Sequence, residues 1–186
     1  MMEKIEQRLK RKYQISNYQM AQLNFFFKTT FSELSKMLIM GVLFHKRLSL
    51  YLIALCIMLY MRCLSGGLHF YTYWRCLVSS ILYMWLAIYL LPHVILPSYL
   101  QFCALLISFL ICYLTGPVVS KYRPEPSPQH SRHCRNLCCT GILVFAIILY
   151  IIPENPAMTI GLWVIILHSL QLLAAKIRKK GGHGND

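Results

Sequence analysis

The sequence predicts an all-α integral membrane protein: a polytopic helical bundle of about six transmembrane helices with an amphipathic amino-terminal helix. Three observations carry that reading. Of the 186 residues, 57% are hydrophobic and only 13% are charged, about half the roughly 25% charge of an average soluble domain. The mean hydropathy is +0.51. The apolar residues also fall in long runs separated by short basic or proline-bearing connectors, the layout of spans and membrane-flanking loops. A formal net charge of +13 would suit a nucleic-acid binder, but the Lys and Arg are clustered between apolar runs. No basic soluble domain remains to grip nucleic acid.

Residues 1–24 read as an interfacial amphipathic segment, with Ile5, Leu9 and Tyr13 spaced four apart among Lys4, Arg8, Lys10, Arg11 and Lys12. Met1 to Tyr13 is basic and polar with no apolar core and small-residue cleavage site after it, so no signal peptide is expected. The bundle is expected over residues 25–175, and 176–186 form a basic cytoplasmic tail, all within one membrane-embedded domain. Residues 25–44 are apolar but carry Lys28, Glu33 and Lys36, which fits either a poor first span or a helix packed inside the bundle. Clear apolar runs follow at 48–61, 77–96, 99–115, 137–152 and 157–175. Several fall short of the ~20 residues that cross a 30 Å hydrocarbon core, so they must extend into their flanks or thin the bilayer locally.

Retention of Lys and Arg on the cytoplasmic side sets the orientation. Taking Lys176-Ile177-Arg178-Lys179-Lys180 as cytoplasmic puts 153–156 outside, the loop from Gly116 to Asn136 inside, 92–98 outside, and the segment from Arg62 to Arg75 inside. Both termini are then cytoplasmic if 25–44 spans. Lys46 and Arg47 are the one defect, lying on the outer side.

Eight cysteines are not evidence of disulfides, because Cys56, Cys63, Cys76, Cys103 and Cys112 lie in or beside apolar runs, where Cys behaves as a small buried hydrophobe. His130, His133, Cys134, Cys138 and Cys139 have ligand chemistry for zinc, but their spacing matches neither paired C-x-x-C nor a zinc finger. No metal and no cofactor are expected.

The chemistry concentrates in Gly66-Gly67-Leu68-His69-Phe70-Tyr71-Thr72-Tyr73-Trp74-Arg75-Cys76. A thiol with an imidazole nearby is the minimum kit for cysteine-type acyl transfer. On one straight helix the seven-residue spacing would hold His69 and Cys76 about 10 Å apart along the axis, too far for proton transfer. A catalytic pair therefore requires a broken helix, and Gly66-Gly67 supplies the break. Cys76 would lie at the amino terminus of a helix starting near Leu77, where the helix dipole and Arg75 both favour a thiolate. His69 is the natural general base. A solvated His and a packing Cys would also satisfy the spacing.

The pattern Arg62-x-x-x-Gly66-Gly67-x-His69 followed by Cys76, between membrane helices of a chain this size, resembles the accessory gene regulator B (AgrB) family. Members are membrane-embedded cysteine endopeptidases of Gram-positive bacteria that mature quorum-sensing peptides. The resemblance extends to the basic, proline-bearing loop Gly116-Pro117 through Lys121-Tyr122-Arg123-Pro124-Glu125-Pro126, although the family often has a run of lysines where Tyr122 separates Lys121 from Arg123. It implies that His69 and Cys76 are the catalytic pair, that Arg62, Gly66 and Gly67 support activity, and that Lys121 and Arg123 bind substrate. It further implies cleavage of an AgrD-like propeptide, cyclisation of the product to a thiolactone or lactone, a homodimer, and a bacterial cell membrane with the active site facing the cytoplasm. The rival reading is a non-catalytic transport or scaffold protein with a re-entrant Gly-Gly segment. It lacks polar groups at mid-membrane beyond Lys28, Glu33, Lys36 and His168.

Overall fold

Each helix begins and ends where the backbone chemistry of its flanking residues requires. The computed structural model of the chain describes residues 17–67, 72–118 and 127–181, with side chains from Thr30 to Lys179. Among these residues six α-helices follow in order: α1 (Asn17–Leu43), α2 (Leu48–Ser65), α3 (Tyr73–Trp85), α4 (Ser98–Thr115), α5 (Pro128–Ile151) and α6 (Pro156–Gly181). Among the described residues five stretches are long and apolar enough to cross a membrane: His45–Ser65, Tyr73–His93, Ser98–Thr115, Pro128–Ile151 and Pro156–Lys179. The sixth expected span, 25–44, is taken up by α1 as far as Leu43, and its Lys28, Glu33 and Lys36 set its composition apart. Residues 1–16 of the expected interfacial segment lie outside the described residues, and α1 runs without a break across its boundary at residue 24.

The chain divides into two compact units, Met1–His45 and Lys46–Asp186. In the first, Glu33 and Lys36 lie one turn apart on α1 and form an ion pair. The second holds α2 to α6. Its core interleaves Met61 of α2, Leu105 and Cys112 of α4, Cys138, Ile142 and Phe145 of α5, and Leu162, Ile165 and Leu172 of α6. Large side chains such as Leu82, Leu106, Leu110, Ile147 and Tyr150 remain on the outside, an apolar exterior that lipid tails cover. Helix α6 is the most enclosed of the five spans and α4 the least, at 44% against 17% buried.

Helix α3 shows how a proline reshapes a span. Pro92 has no N–H to offer the carbonyl of Ile88 four residues back. The helix passes into a π-turn at Leu86–Leu90, closed by Leu91 N–H to Leu86 O, and then a 3₁₀ turn at Leu91–His93. Arg47 supplies the missing donor: its Nη1 reaches Ile88 O at 3.2 Å, and its guanidinium stacks 4.7 Å from the Tyr89 ring centre. The basic residue that fits the charge rule badly thus has a structural task.

The polar stretch expected as a loop from Gly116 to Asn136 is helical over its second part. Helix α5 starts at Pro128, a favourable first-turn position, with Ser127 as its cap accepting from His130 N–H at 3.3 Å. Ser127-Pro128 was a readable helix start masked by the polarity of the residues after it. The same extension lengthens the short run at 137–152 into a 24-residue helix, about 36 Å at 1.5 Å per residue. Cys56, Cys63 and Cys103, expected to be buried, are exposed. A bundle in lipid has an apolar outside as well as an apolar inside, so a hydrophobic Cys fits either.

Candidate active site

The break expected after α2 is present. Helix α2 ends at Ser65, and Gly66 takes φ 77° and ψ −144° while its N–H still bonds Arg62 O. Gly67 follows at φ 154°. A positive φ with ψ near 180° is essentially restricted to glycine. The Arg62 side chain lies back along this turn, its Cγ and Nε within 4 Å of where a Cβ on Gly67 would sit. Helix α3 resumes at Tyr73.

Cys76 is the fourth residue of α3, about one turn further into its helix than the expected start near Leu77 would place it. Its N–H makes an i→i−4 bond, to Thr72 O at 3.1 Å. The N–H groups of Tyr73, Trp74 and Arg75 precede that first helical bond, one turn before the thiol. The Cys76 side chain is 5% exposed, whereas Trp74 and Arg75 just before it are exposed. His69 lies outside the described residues, as do Lys121 and Arg123.

A second helix exit meets the first. Helix α4 ends at Gly116, which has φ 65° and ψ −177° and bonds Cys112 O, the same glycine-only conformation as Gly66. Two residues on, Val118 N–H donates to Ser65 O at 2.9 Å, and Gly66 and Val118 pair as an isolated parallel bridge. The approach is so close that a Cβ on Gly66 would stand 2.2 Å from Val118 O. The stem of the loop carrying Lys121 and Arg123 is therefore hydrogen-bonded to the stem of the segment carrying His69. In sequence the two segments lie far apart, although Gly66-Gly67 and Gly116-Pro117 are matching signals of helix exits.

Helix α6 holds this end together. Its His168 is fully buried, with Nε2 2.6 Å from Ser65 Oγ. Ser169 Oγ lies 3.2 Å from Ser108 Oγ of α4. Lys176 Nζ donates to Leu114 O at 2.9 Å and Thr115 O at 3.4 Å, the last carbonyls of α4. Tyr83 of α3 donates to Val164 O of α6 at 2.7 Å. Ser65 and Glu33 are thus bonded to His168 and Lys36 respectively.

Elsewhere, His130 Nε2 and Cys134 Sγ lie 3.5 Å apart, one turn apart on α5. Among the described residues no three His, Cys, Asp or Glu side chains gather closely enough to hold a metal ion. None of the eight cysteines is in a disulfide.

These features define a multi-pass helical membrane protein with a buried thiol at a glycine-broken helix pair. The family model of accessory gene regulator B matches residues 2–172, and the chain belongs to that family. No curated protein and no solved structure matches it.

Proposed function

We propose that the protein is a membrane-embedded cysteine endopeptidase that removes the carboxy-terminal tail of an AgrD-like propeptide and promotes its cyclisation. The observation that carries this reading is the glycine break after α2 followed by Cys76, buried in the first turn of α3, in a chain of this family. His69, seven residues before Cys76, takes the thiol proton. The Cys76 sulfur then attacks the scissile carbonyl, and the tetrahedral oxyanion collapses as the C–N bond breaks. The imidazolium returns its proton to the departing amine, leaving a thioester on Cys76.

A thiol within the peptide displaces Cys76 to close a thiolactone; a hydroxyl in its place would give a lactone. Exchange of one thioester for another is nearly even in free energy, so the enzyme must position the ends and keep water from the acyl group. The buried setting of Cys76 suits that requirement. Backbone N–H groups at the start of α3 are the natural oxyanion donors. Arg62, Gly66 and Gly67 shape the turn before His69. Lys121 and Arg123 would meet acidic residues of the propeptide tail, attached to a stem already bonded to the catalytic segment. The reading includes a homodimer in a bacterial cell membrane, with the active site and both termini cytoplasmic.

The test is co-expression with a short amphipathic propeptide, scored by mass spectrometry for cleavage and ring closure. Cys76→Ala and Cys76→Ser should abolish both while the protein still inserts, since an alcohol at neutral pH does not replace the thiolate. Wild-type levels of cleavage by Cys76→Ala would overturn the reading in favour of a non-catalytic scaffold.

A further inference from the structure

We propose that His168 is a positioning residue: by holding Ser65 from inside the bundle it fixes the joint from which the His69 segment and the stem of the basic loop both depart. Ser65 is the last residue of α2 and is 3% exposed. Its hydroxyl carries one proton, which it donates to Met61 O at 2.7 Å. The 2.6 Å contact to His168 is then a bond donated by Nε2–H to Ser65 Oγ. The Ser65 carbonyl accepts from Val118 N–H at 2.9 Å. One residue therefore joins α2, α6 and the exit of α4, immediately before Gly66 enters its glycine-only conformation.

The choice of His at this place is itself informative. A Leu would pack a lipid-embedded core without any polar cost, whereas the His168 imidazole is fully buried and its Nδ1 has no partner among the described residues. An unsatisfied buried polar atom destabilises the fold. Such a residue is poorly explained as filler and well explained by its one good bond, to the joint. A side chain on α2 itself could not do this, because only a neighbouring helix can fix the rotation of α2's last turn.

The inference rests on the peptidase reading for its kinetic consequence but not for its structural one, and the experiment separates the two. His168→Leu removes the donor. His168→Gln keeps an N–H near the Nε2 position, and Ser65→Ala removes the acceptor. Each full-length protein is reconstituted in lipid and examined by hydrogen–deuterium exchange of the peptide containing Val118, and by cleavage kinetics on the propeptide. In His168→Leu the Val118 amide should exchange about tenfold faster or more. Its kcat should fall about 10- to 100-fold, with KM within about twofold, because mispositioning and not binding is affected. His168→Gln should recover most of both. Adding Ser65→Ala to His168→Leu should cost little more than either alone, because both break one bond.

Wild-type exchange and kcat in His168→Leu would overturn the proposal, as would additive losses in the double variant. If His168→Leu fails to insert, the Gln and Ser65→Ala variants decide by the same readouts. If the wild-type protein leaves the propeptide intact, the peptidase reading falls and the exchange measurements alone decide the role of His168.

Discussion

The exits of α2 and α4 have nearly the same backbone and opposite surroundings. Gly66 and Gly116 both cap their helices with positive φ and extended ψ, and both direct an N–H to the carbonyl four residues back. Around Gly66 the space is filled by Val118 O, and the adjoining Ser65 is anchored from within by buried His168. Around Gly116 nothing lies within 4 Å of a would-be Cβ, and the adjoining carbonyls are anchored from the periphery by Lys176. Both anchors come from α6. The difference separates two demands on a glycine: a backbone conformation, made at both exits, and a close approach, made only where the chain turns toward the candidate catalytic segment.

Gly66→Ala should have the largest effect, because it meets both demands at once. The backbone term alone is about 1–3 kcal/mol. A methyl group 2.2 Å from Val118 O must also push the two stems apart, and backbone on either side has little room to yield. Processing should drop by ~100-fold or more, and the Val118 amide should lose its protection from exchange. An active Gly66→Ala protein with intact protection at Val118 would show that the bridge between the exits does not matter.

How much of this end was legible follows from which signals are local. The break at Gly66-Gly67 could be read because two adjacent glycines between apolar runs have few other uses, and Cys76 because its spacing from His69 invites a chemical question. Likewise, the five apolar spans rest on composition, which the bilayer reads residue by residue. The Ser65–His168 bond joins residues 103 apart in sequence, and no periodicity or motif pairs them. Arg47 reads from sequence as an excess charge, since its partner is the Ile88 carbonyl that Pro92 leaves without a helical donor. The start of α5 is hidden for the opposite reason. A local signal, Ser127-Pro128, was outweighed by the polar character of the residues after it.

Gly116→Ala tests the conformational demand by itself. Its φ of 65° and ψ of −177° impose the same backbone cost of about 1–3 kcal/mol, but there is no neighbour to displace. The variant should lower thermal stability by that amount while leaving kcat within several-fold of wild type, because the α4 exit can relax outward. Equal losses of activity in Gly66→Ala and Gly116→Ala would break the distinction between the exits and make the basic-loop stem as exacting as the catalytic one.

The smallest effect is expected at the peripheral anchor. Lys176 donates to the carbonyls of Leu114 and Thr115, groups that every helix leaves without intrahelical partners at its carboxy terminus. A cation there is worth ~0.3–1 kcal/mol when accessible to solvent, and salt screens it. Water can replace the Nζ donor at this accessible site, as it cannot replace His168 in the core. Lys176→Met should therefore cost ~1 kcal/mol or less in reconstituted protein, with the difference from wild type shrinking as ionic strength rises and with no change in Val118 exchange. A larger, salt-independent loss that also exposed the Val118 amide would mean that Lys176 and His168 act as one clamp, with the two exits held as a single unit by α6.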